Sequence, residues 1–574
     1  MLHKIRMCYL PVTHNATLGS NIGAKLLICC LLSLPPILYG QDSKALCRVH
    51  FDKPFYVSGE VVWYKIYLPQ SFNGKEVSFE VKLVAENGHE LQHYFLKNEK
   101  QPHLVGYFKI PFDQATGMYY LMVFGTKQTS HTMVKILEAP LPIYNDLAEQ
   151  ENPIVNEEQH KNPPLTTALQ DLQVTIELER DTFNRRTQVD AVVSITDANG
   201  QEVPANLSIS VSDWALLSRE ETSTESLISS IYWDPVPVET LRKGLHFRGQ
   251  TQDTLGQPIN VNVLGYYSAA EKKLQYSRTD ADGNFFIDIE DFTGSKPIQL
   301  IDYQSEDLSV FVPQKFPIEQ KVALVFSPEI EQYLAWSRRR KKTYQLFKSF
   351  ESPISSAPNE FIQKEYREYR SLRPDDYEPF ANLPEFLREV YFNVTLVQKK
   401  DKSYKVNFFV NRHGDFERHP RPPVFIVDGK VTRDADYIAG LDLAEIEQID
   451  CFHQLKSLRS QFGPFGQFGV AMITTKSGDE TLPPAEEADI FDCYGYLPKI
   501  EFPVFTKEQL IASSPLPTFR PQLYWNPSLS TDSQGKASFS FIQSDDLSTF
   551  CIEVVAQGED GKMGVGKRKY WVVF

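Results

Sequence analysis

Apolar residues in this chain recur at every second position. Val77, Phe79, Val81 and Leu83 alternate with polar residues, as do Leu172, Val174, Ile176 and Leu178, and again Leu207, Ile209 and Val211. A period of two sets one face of a strand on a core and the other in water. Val61–Leu68 and Met118–Phe124 are continuous β-branched and aromatic runs with no helical stripe. Asn87-Gly88 and Asp197-Ala198-Asn199-Gly200 punctuate them as turns. The 574 residues are too many for one such unit. At about 150 residues per domain, roughly four are expected. The sequence therefore predicts a mainly β, multidomain string of sandwiches.

Composition narrows the function. Lys and Arg number 59 against 74 Asp and Glu, a net charge of −15, which disfavours nucleic acid as a partner. Near the N-terminus, Lys25 precedes the apolar run Leu26–Leu32, then Ser33-Leu34-Pro35-Pro36, and Gly40 follows. This is the order of an export signal over residues 1–40, too short and proline-broken to span a bilayer; a buried strand is the alternative. Cys8, Cys29 and Cys30 fall inside it. Cys47, Cys451, Cys493 and Cys551 remain, too sparse for a disulfide framework, and their pairing stays open. Lys44-Ala45-Leu46 before Cys47 lacks the small residue that lipid attachment needs.

The expected organisation is a first sandwich over 45–138, a Pro- and Asn-rich linker over 139–167, and a second sandwich over 168–240. A third follows over 245–320, then a helical segment over 328–387 and a mixed α+β unit over 388–480. A linker over 481–503 and a last β domain over 504–574 complete it. In the helical segment Tyr333, Trp336, Arg340, Tyr344 and Phe347 recur at helical spacing. The run Arg338–Lys342 reads as a solvated face, with an acidic or phospholipid partner as the alternative.

Five segments resemble known families. Asp52-Lys53-Pro54-Phe55-Tyr56-Val57-Ser58-Gly59-Glu60-Val61-Val62-Trp63 resembles the opening of a macroglobulin domain of the alpha-2-macroglobulin family. Pro54 sets an extended approach, Gly59 turns the chain, and the Val/Trp run enters the sheet. Leu172–Trp214 and Leu523–Phe574 look like further domains of that kind. Arg248–Asp253, Gln257–Val263 and Thr279–Phe285 resemble a carboxypeptidase-regulatory-like sandwich. Pro423–Gly429, Leu443–Asp450, the glycines Gly463, Gly466 and Gly469, and Val470–Gly478 resemble the plug domain of TonB-dependent outer-membrane transporters. In that reading Asp428 and Gly429 form a turn, and the three glycines a tight loop before a central strand. Only about 95 residues follow Gly478, too few for a transporter barrel.

Several chemistries fail on their residues. No mature cysteine begins the Cys-Gly-Glu-Gln of a thioester, so no thioester-linked substrate is expected. Gly561–Arg568 nearly spells a phosphate loop, but Arg568 stands where Ser or Thr holds Mg²⁺ and a strand follows, so it reads as a glycine-rich hairpin. Asp280 and Asp282 read as a tight turn rather than a calcium loop. His413, Asp415, Glu417 and His419 read as a turn rather than a metal site. No catalytic residue, metal or cofactor is expected.

The resemblances imply a non-enzymatic, exported binding or scaffold protein of the Gram-negative outer membrane, on its periplasmic or cell-surface face. Its partner would be an outer-membrane β-barrel or an envelope protein complex. The alternatives are a plug acting in trans with a separate barrel, a part in transport, and a macroglobulin-type protease trap without thioester. Phe462, Phe465 and Phe468, interleaved with the glycines, either face outward to contact that partner or pack inward on their own domain.

Overall fold

Leu207, Ile209 and Val211 lie on the strand Ala205–Asp213, and its neighbours come from the far end of the chain. It pairs antiparallel with Thr549–Gly558 on one side and Gln522–Ser530 on the other. Met563–Val573 and Thr182–Asn184 complete that sheet. Facing it, Gln188–Asp197 pairs with Leu172–Leu178 and with Lys536–Ile542. Val193, Ile209, Phe541 and Val554 share one core. The units expected separately at 168–240 and 504–574 are thus halves of one sandwich, the second in the chain.

The computed structural model describes residues 45–574 except 148–170, 218–227, 234–235, 254, 261–263, 303–308, 313–314, 348–364, 368, 413–414, 420–422, 481–489 and 507–516. The expected export signal, most of the first linker and His413 lie outside these residues.

The first sandwich packs the sheet built on Ala45–Phe51, Val61–Tyr67 and His103–Lys109 against one built on Ser78–Ala85, Glu90–Lys97, Gly117–Thr126 and Met133–Tyr144. Val49, Tyr64, Phe79 and Leu121 lie in its core. Ala139–Tyr144, expected as linker, continues the last of these strands because its apolar residues Leu141 and Ile143 face that core. Ile228–Trp233, expected in the second sandwich, pairs with Ala45–Phe51 instead, with Ile231 opposite Cys47. Residues 316–320, expected in the third sandwich, and 321–324 just beyond it lay Phe316, Ile318 and Val322 over Tyr120 and Met122 on the outer face of the first.

The third sandwich packs Leu245–Gln252 and Asn284–Ile289 against Lys273–Ser277, Leu264–Ser268 and Ser295–Asp302. Ile490–Tyr494, expected as linker, closes this second sheet along Ser295–Asp302 and buries Cys493 in the core. The short helix α1 (Trp214–Leu217) follows the second sandwich's strand Ala205–Asp213, and α2 (Pro328–Leu346) packs on it. Ser327 caps α2 by accepting from the Ile330 amide, with Pro328 in the first turn. The rest of the expected helical segment is not one element. Arg370–Leu372 is an edge strand, and α3 (Leu383–Val390) buries Leu383, Phe386 and Leu387 in the α+β unit.

That unit holds the sheet Arg370–Leu372, Ile446–Phe452, Val470–Thr475, Val424–Val427 and Lys430–Thr432, in that order. Val470–Thr475 is central and runs parallel to Val424–Val427, the arrangement expected of two apolar runs buried on both faces. α4 (Ala435–Gly440) and α5 (Leu455–Gly466) belong to the same unit.

A chain ended after Ile500 should lose the second sandwich, since its central strand would keep neither neighbour. Co-expressed residues 517–574 should restore it. Protease-resistant yield of the three samples checks this, and full resistance of the truncated chain alone would contradict it.

Candidate functional site

The Asp428-Gly429 turn links Val424–Val427 to Lys430–Thr432 with both central residues at positive φ, 45° and 83°. That is the two-residue hairpin whose backbone twist suits paired strands. The Asp428 carboxylate accepts from the Thr475 amide at 2.8 Å, the Glu480 amide at 3.0 Å and the Thr475 hydroxyl. It ties the hairpin to the end of the central strand. Its acceptor sites are spent on the fold, which makes it a structural residue.

The glycine loop is a kink in α5. Gly463 breaks the helix at φ 58°, ψ −142°, and Pro464 restarts it. A Cβ on Gly466 would meet the Leu458 carbonyl at 2.7 Å, and one on Gly469, at φ 102°, would meet the Phe408 ring at 2.3 Å. These contacts are why the close packing needs glycine. Phe462 and Phe465 are 1% and 0% exposed. Phe462 stacks on Tyr366 at 5.0 Å and meets Phe452 edge-on at 5.0 Å. Phe468 is half-buried, edge-on to His419 at 4.9 Å. The outward reading of Phe462 and Phe465 is therefore corrected: both rings are core.

What covers Phe465 is the third sandwich of the same chain. Its strand Leu264–Ser268 is buried on both faces. Leu264 and Tyr266 point into the sandwich's own core, while Gly265 and Tyr267 point into the α+β unit. Phe465 fills the space above Gly265, where a Cβ would lie 2.4 Å from the ring. Gln299 holds the edge strand Lys430–Thr432: its amide nitrogen donates to the Val431 carbonyl at 2.8 Å, and its oxygen accepts from the Val431 amide at 2.6 Å. The Gly429 turn abuts Ala269.

Three buried polar nodes join the remaining parts. In the first, Glu60 takes Lys53 at 2.7 Å, the Val57 amide at 2.9 Å and the Tyr333 hydroxyl of α2 at 2.9 Å. Burial works against its charge, but Lys53 and Arg340 hold its carboxyl below the usual value. Lys341 of α2 reaches Asp146 at 2.6 Å and the Ser58 carbonyl at 2.7 Å. The basic run of α2 is therefore split: Arg340 and Lys341 turn inward and Arg338, Arg339 and Lys342 stay exposed. Gly59, at φ 83°, makes the expected turn within this node.

In the second node, between the first and third sandwiches, Glu80 accepts from His246 at 2.8 Å and pairs with Arg248, with Lys82 at 3.5 Å. Burial opposes its ionisation, but Arg248, His246 and Lys82 hold it well below the ordinary range. In the third, between the first and second sandwiches, His50 meets the Ser208 hydroxyl at 2.6 Å and the Trp525 ring at 5.1 Å. Burial, then Lys65 and Lys567, lowers its pKa to about 3. Sequence reasoning missed all three nodes. Only the motif around Asp52 and Glu60 carried a signal, while Glu80 is one acid among 74.

Elsewhere the expected turns form. Asp280 accepts from the amides of Asp282 and Asn284 at 3.0 and 2.8 Å. The glycines of 561–566 make a hairpin, and Gly564 and Gly566 leave room for the strand Leu172–Leu178 crossing them. Among the described residues no group of three His, Cys, Asp or Glu is placed to hold a metal ion. Shallow cavities lie among the described residues. One, of about 410 Å³, is lined by Lys75, Lys100 and Lys243, and one, of about 280 Å³, by His93, Tyr494 and Tyr496.

The fold thus defines a mainly β protein whose sandwiches and α+β unit are joined by shared strands and buried polar seams. No family model and no curated protein matches the chain. It is similar to solved structures of trypsin-activated alpha-2-macroglobulin from Escherichia coli, at 9% identity over 92% of this chain and 42% of that one, TM-score 0.24. Another is Salmonella alpha-2-macroglobulin reacted with methylamine, at 10% identity over 92% and 39%, TM-score 0.24. A third is the Yersinia pseudotuberculosis adhesin InvE, at 9% identity over 47% and 60%, TM-score 0.12. The chain spans about two fifths of the length of the macroglobulins.

Two outcomes follow. Gly265→Ala should destabilise by about 1–3 kcal/mol through its clash with Phe465. Phe465→Leu in the same chain should recover part of that loss, a coupling visible in a double-mutant cycle of denaturant melts. For His50, the unfolded imidazole binds a proton below about pH 6.5 and the native one only near pH 3. Stability from His50 should therefore be intact above pH 6.5 and fall on acidification by up to about 1.4 kcal/mol per pH unit. Asp52, raised by burial to about 6, and Asp213, raised by burial to about 7, contribute with the opposite sign. Comparison of His50→Gln with the parent chain isolates the term. Identical pH profiles would contradict it.

Proposed function

We propose that this chain is an exported, non-enzymatic scaffold or binding protein of the macroglobulin type in the Gram-negative envelope. It associates with the outer membrane through a β-barrel or envelope complex. The observation that carries the reading is the mutual closure of its domains. Each sandwich is completed by a strand from a distant part of the chain, and the strongest charges are spent on the seams between them. Such a body presents fixed outer faces. The buried cysteines fit the reading as well: burial pushes the thiols of Cys47, Cys493 and Cys551 up to about 12, which suits packing rather than nucleophilic chemistry. The leader-like N-terminus and the plug-like residues support the location.

A plug acting in trans is the weaker reading. The face around Phe465 and Gly429 is already occupied by the third sandwich, so seating in a barrel would require that contact to open.

Fractionation of the native host should place the protein with the outer membrane, and affinity capture from that extract should recover a β-barrel or envelope protein with it. Recovery in the cytosol without an envelope partner would overturn the proposal.

A further inference from the structure

The side of the second sandwich that carries α1 ends in exposed rings. On the last strand Lys569, Trp571 and Val573 alternate with buried Tyr570 and Val572, so they point away from the core. Lys569 lies over the Trp214 ring of α1 at 4.0 Å, which identifies the side. Beyond it Trp571 is 50% exposed and Phe574 82%. Leu547 is exposed on the adjoining loop, where the Val572 amide donates to the Ser548 carbonyl. The guanidinium of Arg185 stands over the Phe574 ring at 5.0 Å.

A chain of contacts links this cluster to α2, which lies on the same side of the sandwich as α1. Arg186, next to Arg185, holds Asp545 through two contacts of 2.7 Å, and Asp545 accepts from the Thr518 amide at 2.7 Å. The next residue, Phe519, exchanges hydrogen bonds of 2.8 and 2.9 Å with the Tyr344 hydroxyl of α2. Tyr344 lies on the inward stripe of α2 with Tyr333, Ser337 and Arg340, and the opposite, outward stripe exposes Arg338, Arg339, Lys342 and Leu346.

We propose that this aromatic and basic face docks on an anionic phospholipid bilayer. Rings carried among long basic side chains match a headgroup layer: the rings settle at the interface while the cations meet phosphates. The net charge of −15 does not forbid this. At physiological ionic strength exposed charges more than about 8 Å away are largely screened, so the nearby cations dominate. The proposal rests on the envelope reading only for where such a bilayer is met.

The test is co-sedimentation of the full chain with phosphatidylcholine vesicles and with mixed phosphatidylcholine–phosphatidylglycerol vesicles. Binding is expected to the mixed vesicles alone and to weaken with salt. Arg338→Ala, Arg339→Ala and Lys342→Ala should each lower affinity roughly fivefold, the effect of about 1 kcal/mol per cation. Trp571→Ser with Phe574→Ser should weaken binding at low salt, with melting temperature unchanged. If that pair unfolds, the single change Lys342→Glu decides. Absent binding, equal binding to both vesicles, or variants that bind like the parent would overturn the docking face. A protein that binds these vesicles but fractionates outside the envelope would overturn the location and leave the face standing.

Discussion

The rest of the architecture depends on the ladder between Ala205–Asp213 and Thr549–Gly558. It joins positions far apart in the chain: Ser548 donates to Asp213 at 2.7 Å across 335 residues. Everything from α1 to the strand Gln522–Ser530 is an excursion that must return its end to its beginning. Closing so long a loop has an entropic cost, but that cost grows only slowly with length. An apolar core including Ile209, Phe541, Phe550 and Val554 is enough to hold it. The excursion in turn supplies Ile228–Trp233 to the first sandwich and Ile490–Tyr494 to the third.

Apolar burial explains each core but not the angles between them. Those are held by polar groups that pair in one arrangement only. Glu60 reads the position of α2 through Tyr333, Glu80 reads the third sandwich through His246, and His50 reads the second through Ser208. A buried charge left unpaired is strongly destabilising, so any slip of one domain against another is penalised at these nodes. This is a reason for placing charges where hydrophobic contacts alone would pack.

The face around Phe465 shows how a correct local reading leads to a wrong surface. The strands Val424–Val427 and Val470–Thr475, the Asp428-Gly429 turn and the glycine-dependent packing all follow from local residues. An apolar face left over from such a unit needs a cover. That cover lies within the chain: the third sandwich presents Gly265 and Tyr267 on a strand apolar on both sides. Leu264-Gly265-Tyr266-Tyr267 carries no alternation, and a run without alternation tells that both faces are covered without telling by what.

Sequence by itself determined the strand-rich class, the hairpins at Asp428, Asp280 and Gly561, the turn at Gly59 and the helical stripe of α2. Each of these is written in residues within a few positions of one another, as alternation, positive-φ turn chemistry or a period of 3.6. Only the tertiary structure decided which strands are neighbours. It merged 168–217 with 522–574, gave Ile490–Tyr494 to the third sandwich, turned Arg340 and Lys341 inward and buried Phe462 and Phe465. Pairing between remote strands depends on shape and register across hundreds of residues, and one edge of alternating apolar residues satisfies many partners equally well.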